Sequence, residues 1–318
     1  MTAEIKIALI ICSALILLAV IFIIILWWIY CYAFKRSRID CDAFEGLDSE
    51  SMRPFSEANR ERISRLMSEP YEDVYINSPL GSIRLHGKLY IKNPDAPVQI
   101  MCHGYRSNPY RDFSGGALEA LARGHNLLLI DQRAHLKSEG KEISYGIRER
   151  YDIVAWANYV AQRFLGRDIF LIGISMGGAT VVAASSLEMP SAVRCIVSDC
   201  PYAKLKDILI TTAKKMGFPR FVYPLISLAA RMFGGIYTDE GDFTKHARNT
   251  RLPILIIHGE DDGLVPEYMS RELYDANPKM IRRITFPNAH HGTSYLTDRD
   301  RYMGEVNAFI DEHSTNKD

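Results

Sequence analysis

The chain has no excess of charge of either sign: 38 Lys and Arg balance 38 Asp and Glu across 318 residues. A protein that grips nucleic acid by neutralising phosphates needs a basic surplus to displace counterions, so no nucleic-acid partner is expected. Cysteine is scarce too. Six in this length are too few for a disulfide scaffold. No internal repeat or low-complexity tract interrupts the chain. Its 47% hydrophobic content is too high for a disordered or collagen-like polypeptide. What is left is a globular chain long enough for one large core or two smaller ones.

The apolar residues are unevenly spread. Ile7 to Tyr32 runs for 26 residues without a charge, and Ser13 is its one aliphatic hydroxyl. At about 1.5 Å per residue such a helix crosses a hydrocarbon layer of roughly 30 Å with some tilt. Trp27, Trp28, Tyr30 and Tyr32 gather at its far end, where amphipathic rings favour the headgroup layer. A cleaved signal would have a shorter apolar region ending in small residues, and the residues before Cys31 (Trp28, Ile29, Tyr30) do not suit lipid attachment. A retained membrane anchor is therefore expected over residues 1–34. Lys35, Arg36 and Arg38 follow the span, whereas Lys6 and the terminal amine precede it with Glu4 nearby. Cations stay on the cytoplasmic side, so the large C-terminal portion is expected to face the cytoplasm. Cys41, Cys102, Cys195 and Cys200 show no framework spacing, which is compatible with a reducing compartment.

After a polar connector (35–70), residues 71–318 read as one α/β domain. Val74–Ile76 and Ile83–Ile91, split by a turn signal at Pro79–Gly81, suggest an antiparallel hairpin. Short apolar runs follow at Val98–Cys102, Asn126–Ile130, Ile169–Ile174, Ala192–Val197 and Ile254–His258, with a more mixed last strand at Ile281–Phe286. Helix-length stretches lie between them: Ala117–Arg123, Arg148–Phe164, Ser175–Leu187, Glu267–Asn277 and Tyr302–His313. This alternation predicts a mostly parallel sheet with helices on both faces and function at the carboxyl ends of the strands. Tyr202 to Arg251 breaks the rhythm. A structureless connection of that length would be unusual, so a helical insertion at about 202–251 is expected, forming a cap over a pocket.

Strand Ile169–Ile174 runs into Gly173-Ile174-Ser175-Met176-Gly177-Gly178, with a helix pattern behind it. This is G-x-S-x-G in strand–turn–helix context, where a sharp strained turn projects the serine hydroxyl above the sheet. Alone the pattern is weak, because Gly and Ser collect in turns; between a buried strand and a helix it is strong. A serine hydroxyl needs a base to take its proton and a third group to orient that base, in chain order Ser, acid, His. Downstream, strand Ile254–His258 leads into Glu260, Asp261 and Asp262, and the last strand leads into His290 and His291. Asp199, ending the preceding strand, is a further candidate acid. His258 is read as structural, and spacing does not separate His290 from His291. The backbone N–H of Met176 and, from the loop His103-Gly104-Tyr105, that of Tyr105 are candidate donors to a tetrahedral oxyanion. His103 is read as a turn histidine that fixes this loop.

His103-Gly104, the serine turn, Asp262 with Val265-Pro266, and His291 with Ser294-Tyr295 together resemble the α/β-hydrolase superfamily. They are most similar to small bacterial serine hydrolases of the serine aminopeptidase and monoacylglycerol lipase-like type, over about Tyr71 to Ile310. The resemblance implies the α/β-hydrolase fold and a catalytic triad of Ser175, Asp262 and His291. The segment from Asp131 to Gly140 is similar to the family's D-x-R-G-x-G-x-S loop. It carries Ala134 and Leu136 at the usual glycine positions, which puts that loop's shape in question.

Two classes of function follow. One is a membrane-anchored hydrolase of an ester, thioester or amide acting through an acyl-serine, with a small apolar or lipid-like substrate and no metal or organic cofactor. The other keeps the fold as a catalytically silent binding module tethered to the membrane. Cys195, Cys200 and His103 lack paired zinc spacing, and a dehalogenase would carry a carboxylate at position 175.

Overall fold

A computed structural model of the chain describes residues 2–37 and 42–315, so Arg38 and Cys41 lie outside the described residues. Eight strands form one sheet: β1 (Glu72–Asn77), β2 (Arg84–Tyr90), β3 (Val98–Cys102), β4 (Asn126–Asp131), β5 (Ile169–Ile174), β6 (Val193–Asp199), β7 (Ile254–Gly259) and β8 (Ile281–Phe286). Their order is β1-β2-β4-β3-β5-β6-β7-β8. β2 runs antiparallel to β1 and β4, and all other pairings are parallel. This is the α/β-hydrolase fold. β3, β4, β5 and β7 are buried along almost their whole length, as their continuous apolar runs require of strands covered on both faces.

The helices are α1 (Ala3–Ala33), α2 (Ser56–Ser68), α3 (Pro109–Ala122), α4 (Glu149–Arg163), α5 (Met176–Ala184), α6 (Leu205–Lys215), α7 (Tyr223–Gly234), α8 (Thr244–Arg248), α9 (Tyr268–Ala276), α10 (Ser294–Thr297) and α11 (Arg299–His313). Two apolar clusters form, one per face of the sheet. α4, α5, α8 and α9 supply the first, with Trp156 fully buried in it; α2, α3 and α11 supply the second.

The strand order places the site. From β3 the chain crosses to β4 on one side, and β5 then lies on the other side of β3. The loops leaving β3 and β5 therefore diverge at this switch point and open a crevice beyond the carboxyl ends of the strands.

Three expectations are corrected. The 35–70 stretch is not a bare connector. Its charge-rich composition conceals an amphipathic helix, α2, whose Asn59, Ile63 and Leu66 recur at helical spacing and are buried. Helix α3 begins eight residues before the predicted Ala117, at Pro109. The Asn108 side chain accepts from the Tyr110 N–H, and Pro109 occupies the first turn, both ordinary start signals. The insertion at 202–251 is helical as expected, with α6, α7 and α8 in it, but it does not roof the cavity at Ser175. None of its residues lines that cavity, and α7 instead packs against α1. Trp27 of α1 meets Phe233 edge-on at 5.1 Å, and Leu26 and Tyr30 are buried there.

Candidate active site

Ser175 sits between β5 and α5 with φ 54° and ψ −115°, a left-handed backbone that a side chain adopts only under constraint. The constraint is packing. A Cβ on Gly177 would stand 1.8 Å from the Cys102 carbonyl oxygen at the end of β3, and one on Gly173 would stand 2.3 Å from the Gly177 carbonyl oxygen. The glycines let the first turn of α5 press against β3. The Ser175 N–H donates to the Asp199 carbonyl at 2.8 Å, which ties the turn to β6.

The side chains converge. His291 Nε2 lies 2.9 Å from Ser175 Oγ, and its Nδ1 lies 2.7 Å from Asp262 Oδ2. The other oxygen of Asp262 accepts the N–H groups of Leu264 and Val265, each at 2.8 Å, which fixes the carboxylate. Burial alone would raise the Asp262 pKa. The His291 and His258 rings and the Val265 amide reverse that and hold it well below the usual carboxylate range. For His291, recess from solvent opposes protonation, but Asp262, with Asp199 and Asp112 behind it, outweighs this and raises the imidazole pKa above its ordinary 6.5.

The alternatives sort out. His290 is exposed and turns its ring to the Asp261 carbonyl at 3.0 Å. Glu260 accepts from Thr285, near the surface. His258 is fully buried, lies 2.8 Å from the Val265 carbonyl and 3.4 Å from Asp262, and so braces the acid from below. Asp199 is buried and lines the same cavity, where it accepts from the Tyr302 hydroxyl at 3.0 Å; burial pushes its pKa up to about 6. Cys200, Asp262 and His291 offer donor atoms within 4.8 Å of one another, but two of these side chains are already engaged with each other and with Ser175.

On the β3 side, His103 holds the loop as expected of a turn histidine. It bonds the Gly104 carbonyl through Nδ1 and accepts the Gln132 N–H at Nε2, and burial lowers its pKa. The Gly104 N–H is consumed by Asp112 Oδ2 at 2.7 Å. The N–H groups of Tyr105 and Met176 have no acceptor among the described residues. Asp112 also accepts from the Ser107 hydroxyl and so sets the curvature of this loop. A helix starting at Ala117 leaves Asp112 in a loop with no signal of its role; the Asn108-Pro109 start puts it in the first turn of α3. The Asp131–Gly140 loop keeps its left-handed bends without glycine, at Ala134 (φ 60°) and Leu136 (φ 44°).

Ser175 and His291 line a cavity of about 340 Å³. Its apolar wall includes Met101, Phe113, Ile172, Val197, Leu296 and Met303, and the connector closes one side with Leu47, Met52 and Asn59.

A family model described as alpha/beta hydrolase fold matches residues 97–241. The chain has the α/β-hydrolase fold. The uncharacterized protein YqkD of Bacillus subtilis is 26% identical over 215 residues, 67% of this chain and 70% of that one. Among solved structures, the Pyrococcus furiosus esterase Pf2001 superposes with a TM-score of 0.65 at 22% identity, covering 79% of this chain and 94% of its own. A Mycobacterium tuberculosis puromycin-hydrolyzing peptidase superposes at 0.59 and 17% identity, over 78% of this chain and 40% of its own.

The serine turn gives a direct test of its packing. Gly177→Ala is expected to destabilise the protein by at least about 3 kcal/mol or to prevent folding, because its Cβ meets backbone that cannot retreat. Gly304→Ala, in α11 with nothing within 4 Å, is expected to stabilise by about 0.5–1 kcal/mol. Denaturant unfolding in detergent micelles measures both; equal effects would show that the close approach is not rigid.

Proposed function

We propose that the protein is a membrane-anchored serine hydrolase that cleaves an ester, thioester or amide through an acyl-Ser175 intermediate. The observation that carries this reading is the position of His291, within hydrogen-bond reach of Ser175 on one ring nitrogen and of Asp262 on the other. His291 takes the Ser175 proton as Oγ attacks the acyl carbon, and Asp262 holds the tautomer and stabilises the imidazolium. The Tyr105 and Met176 amides face the developing oxyanion. His291 then protonates the leaving group and activates water for deacylation. The cavity's size and apolar wall suit a small apolar or lipid-like acyl group. Similarity to proteins named as an esterase and as a peptidase supports acyl-bond hydrolysis and leaves ester and amide both in range. α1 is read as a retained anchor, with the catalytic domain on the cytoplasmic side that Lys35 and Arg36 favour.

Two measurements test the proposal. A fluorophosphonate probe is expected to label the wild type and not Ser175→Ala; a folded wild type that stays unlabelled would favour a silent binding module, and labelling retained in the variant would move the nucleophile elsewhere. The second is the pH dependence of kcat/KM on a p-nitrophenyl ester. The base must be neutral and its pKa is raised, so activity should climb with pH through a limb lying above 6.5. Asp199→Asn removes a charge that favours the imidazolium, so its limb should move to lower pH with plateau activity within about tenfold. Asp262→Asn should instead drop the plateau by about 10³-fold or more. The reverse pattern would make Asp199 the acid.

A further inference from the structure

We propose that α7 and the loop before it form a second membrane contact, dipping into an anionic-lipid leaflet beside α1. This rests on the reading of α1 as a retained span. α7 packs against α1 around Leu26, Trp27 and Tyr30. Counting about 1.5 Å per residue, Ile7 to Leu26 already covers roughly 30 Å of hydrocarbon, so this contact lies at the depth where span meets headgroups. A helix docked at that depth presents its other face to lipid.

That face suits lipid. Phe221, just before α7, and Leu228 and Met232 within it lie along this face; Phe221 is 80% exposed, Leu228 43% and Met232 53%. Such a stripe would be unfavourable in water, and the only charge in α7 is Arg231, whose guanidinium lies over the Tyr237 ring. The end of α6 and the loop that follows expose all eight residues from Lys214 to Phe221, mixing Lys214, Lys215 and Arg220 with Met216, Phe218 and Phe221. Cations beside aromatic and aliphatic side chains match an anionic headgroup layer over acyl chains. The surface also borders the site: Lys215 Nζ lies 3.7 Å from where a Cβ on Gly263 would be, next to Asp262 and Leu264. The membrane contact thus adjoins the loop that carries the proposed catalytic acid.

The test uses the full chain reconstituted in phosphatidylcholine vesicles containing 30% phosphatidylglycerol and a lipid with a diazirine in its acyl chain. After photolysis, mass spectrometry maps the adducts. Adducts are expected on α1 and also within residues 216–232. Omitting phosphatidylglycerol should lower the yield within 216–232 at least threefold relative to α1. Phe221→Glu with Leu228→Glu should remove those adducts while turnover of a short soluble ester stays within about twofold. Adducts on α1 with none in 216–232 would overturn the proposal alone; their absence from α1 as well would overturn the anchor reading with it. Crosslinks between α7 helices of two copies in place of lipid adducts would assign the stripe to a dimer and also overturn it.

A separate set of contacts carries a second inference. We infer that Tyr105 is a positioning residue through which the end of α1 sets the oxyanion loop. The last carbonyls of a helix lack intrahelical partners. Here the loop after β3 reaches the last carbonyl of α1 and one just beyond it. The Tyr105 hydroxyl donates to the Ala33 carbonyl at 2.9 Å, and the Arg106 guanidinium donates to the Lys35 carbonyl at 2.9 Å. Tyr145 stacks on Tyr105 at 4.8 Å and donates to the same Ala33 carbonyl. The residue proposed to supply one oxyanion N–H therefore has its side chain hydrogen-bonded to the end of α1.

Tyr105→Phe in the full chain is expected to leave the number of fluorophosphonate-titratable sites unchanged. Per-site kcat on p-nitrophenyl butyrate should fall about tenfold with KM within about twofold, and an alkylboronic acid, whose tetrahedral adduct needs the same amide, should bind about tenfold more weakly. A purely structural role would instead reduce the titratable sites and leave per-site kcat intact, and that result would overturn the inference. Turnover independent of Ser175 would overturn the serine mechanism together with it.

Discussion

The close approach of the first turn of α5 to the carbonyl end of β3 is the constraint on which the site depends. At Gly177 there is no room for even a methyl group against the Cys102 carbonyl, and that contact fixes how far α5 advances over the sheet. With the helix at that height, Ser175 takes its left-handed backbone and lifts its hydroxyl clear of the strands. The amide of Met176, the next residue, has no acceptor among the described residues at the helix N-terminus. One packing contact thereby sets the hydroxyl, its backbone strain and an unused donor.

The electrostatics are built around that point in layers. Asp262 is recessed and would be costly to ionise there, but two backbone amides and two imidazoles surround it. Such a carboxylate stays charged and in turn favours the imidazolium of His291. Asp199 shows the opposite outcome. With one hydroxyl partner and deep burial its pKa rises to about 6, so it gives up its charge on mild acidification, where Asp262 keeps its own. Which carboxylate remains ionised is decided by the partners that surround it.

Helix α1 and the α/β domain share more than a peptide link. Ile143 N–H donates to the Phe34 carbonyl at 2.7 Å, Arg36 reaches the carbonyls of Leu136 and Ser138, and Phe34 is fully buried. The chain therefore leaves α1 along a hydrogen-bonded path over the loops beside the cavity. Ala33, near the end of an apolar helix, is in this way joined to Tyr105, a candidate oxyanion donor, through a single side chain.

Local signals were enough for the apolar run of α1, for β3, β5 and β8 at their observed bounds, for the strand–turn–helix at Ser175, and for the order of serine, acid and histidine along the chain. Each follows from spacing within a short window, because side-chain period and turn chemistry are local properties. The choice of Asp262 and His291 over their neighbours came from family resemblance, since adjacent residues such as His290 and His291 differ only in which way the chain turns them. Tertiary structure alone decided the rest. It packed Ile63 and Leu66 of a charge-rich stretch into the cluster that α3 shares, laid α7 against α1 away from the cavity, and put the Tyr105 phenol on the end of α1. Those contacts join segments far apart in sequence, and their energy exists only once the chain has folded.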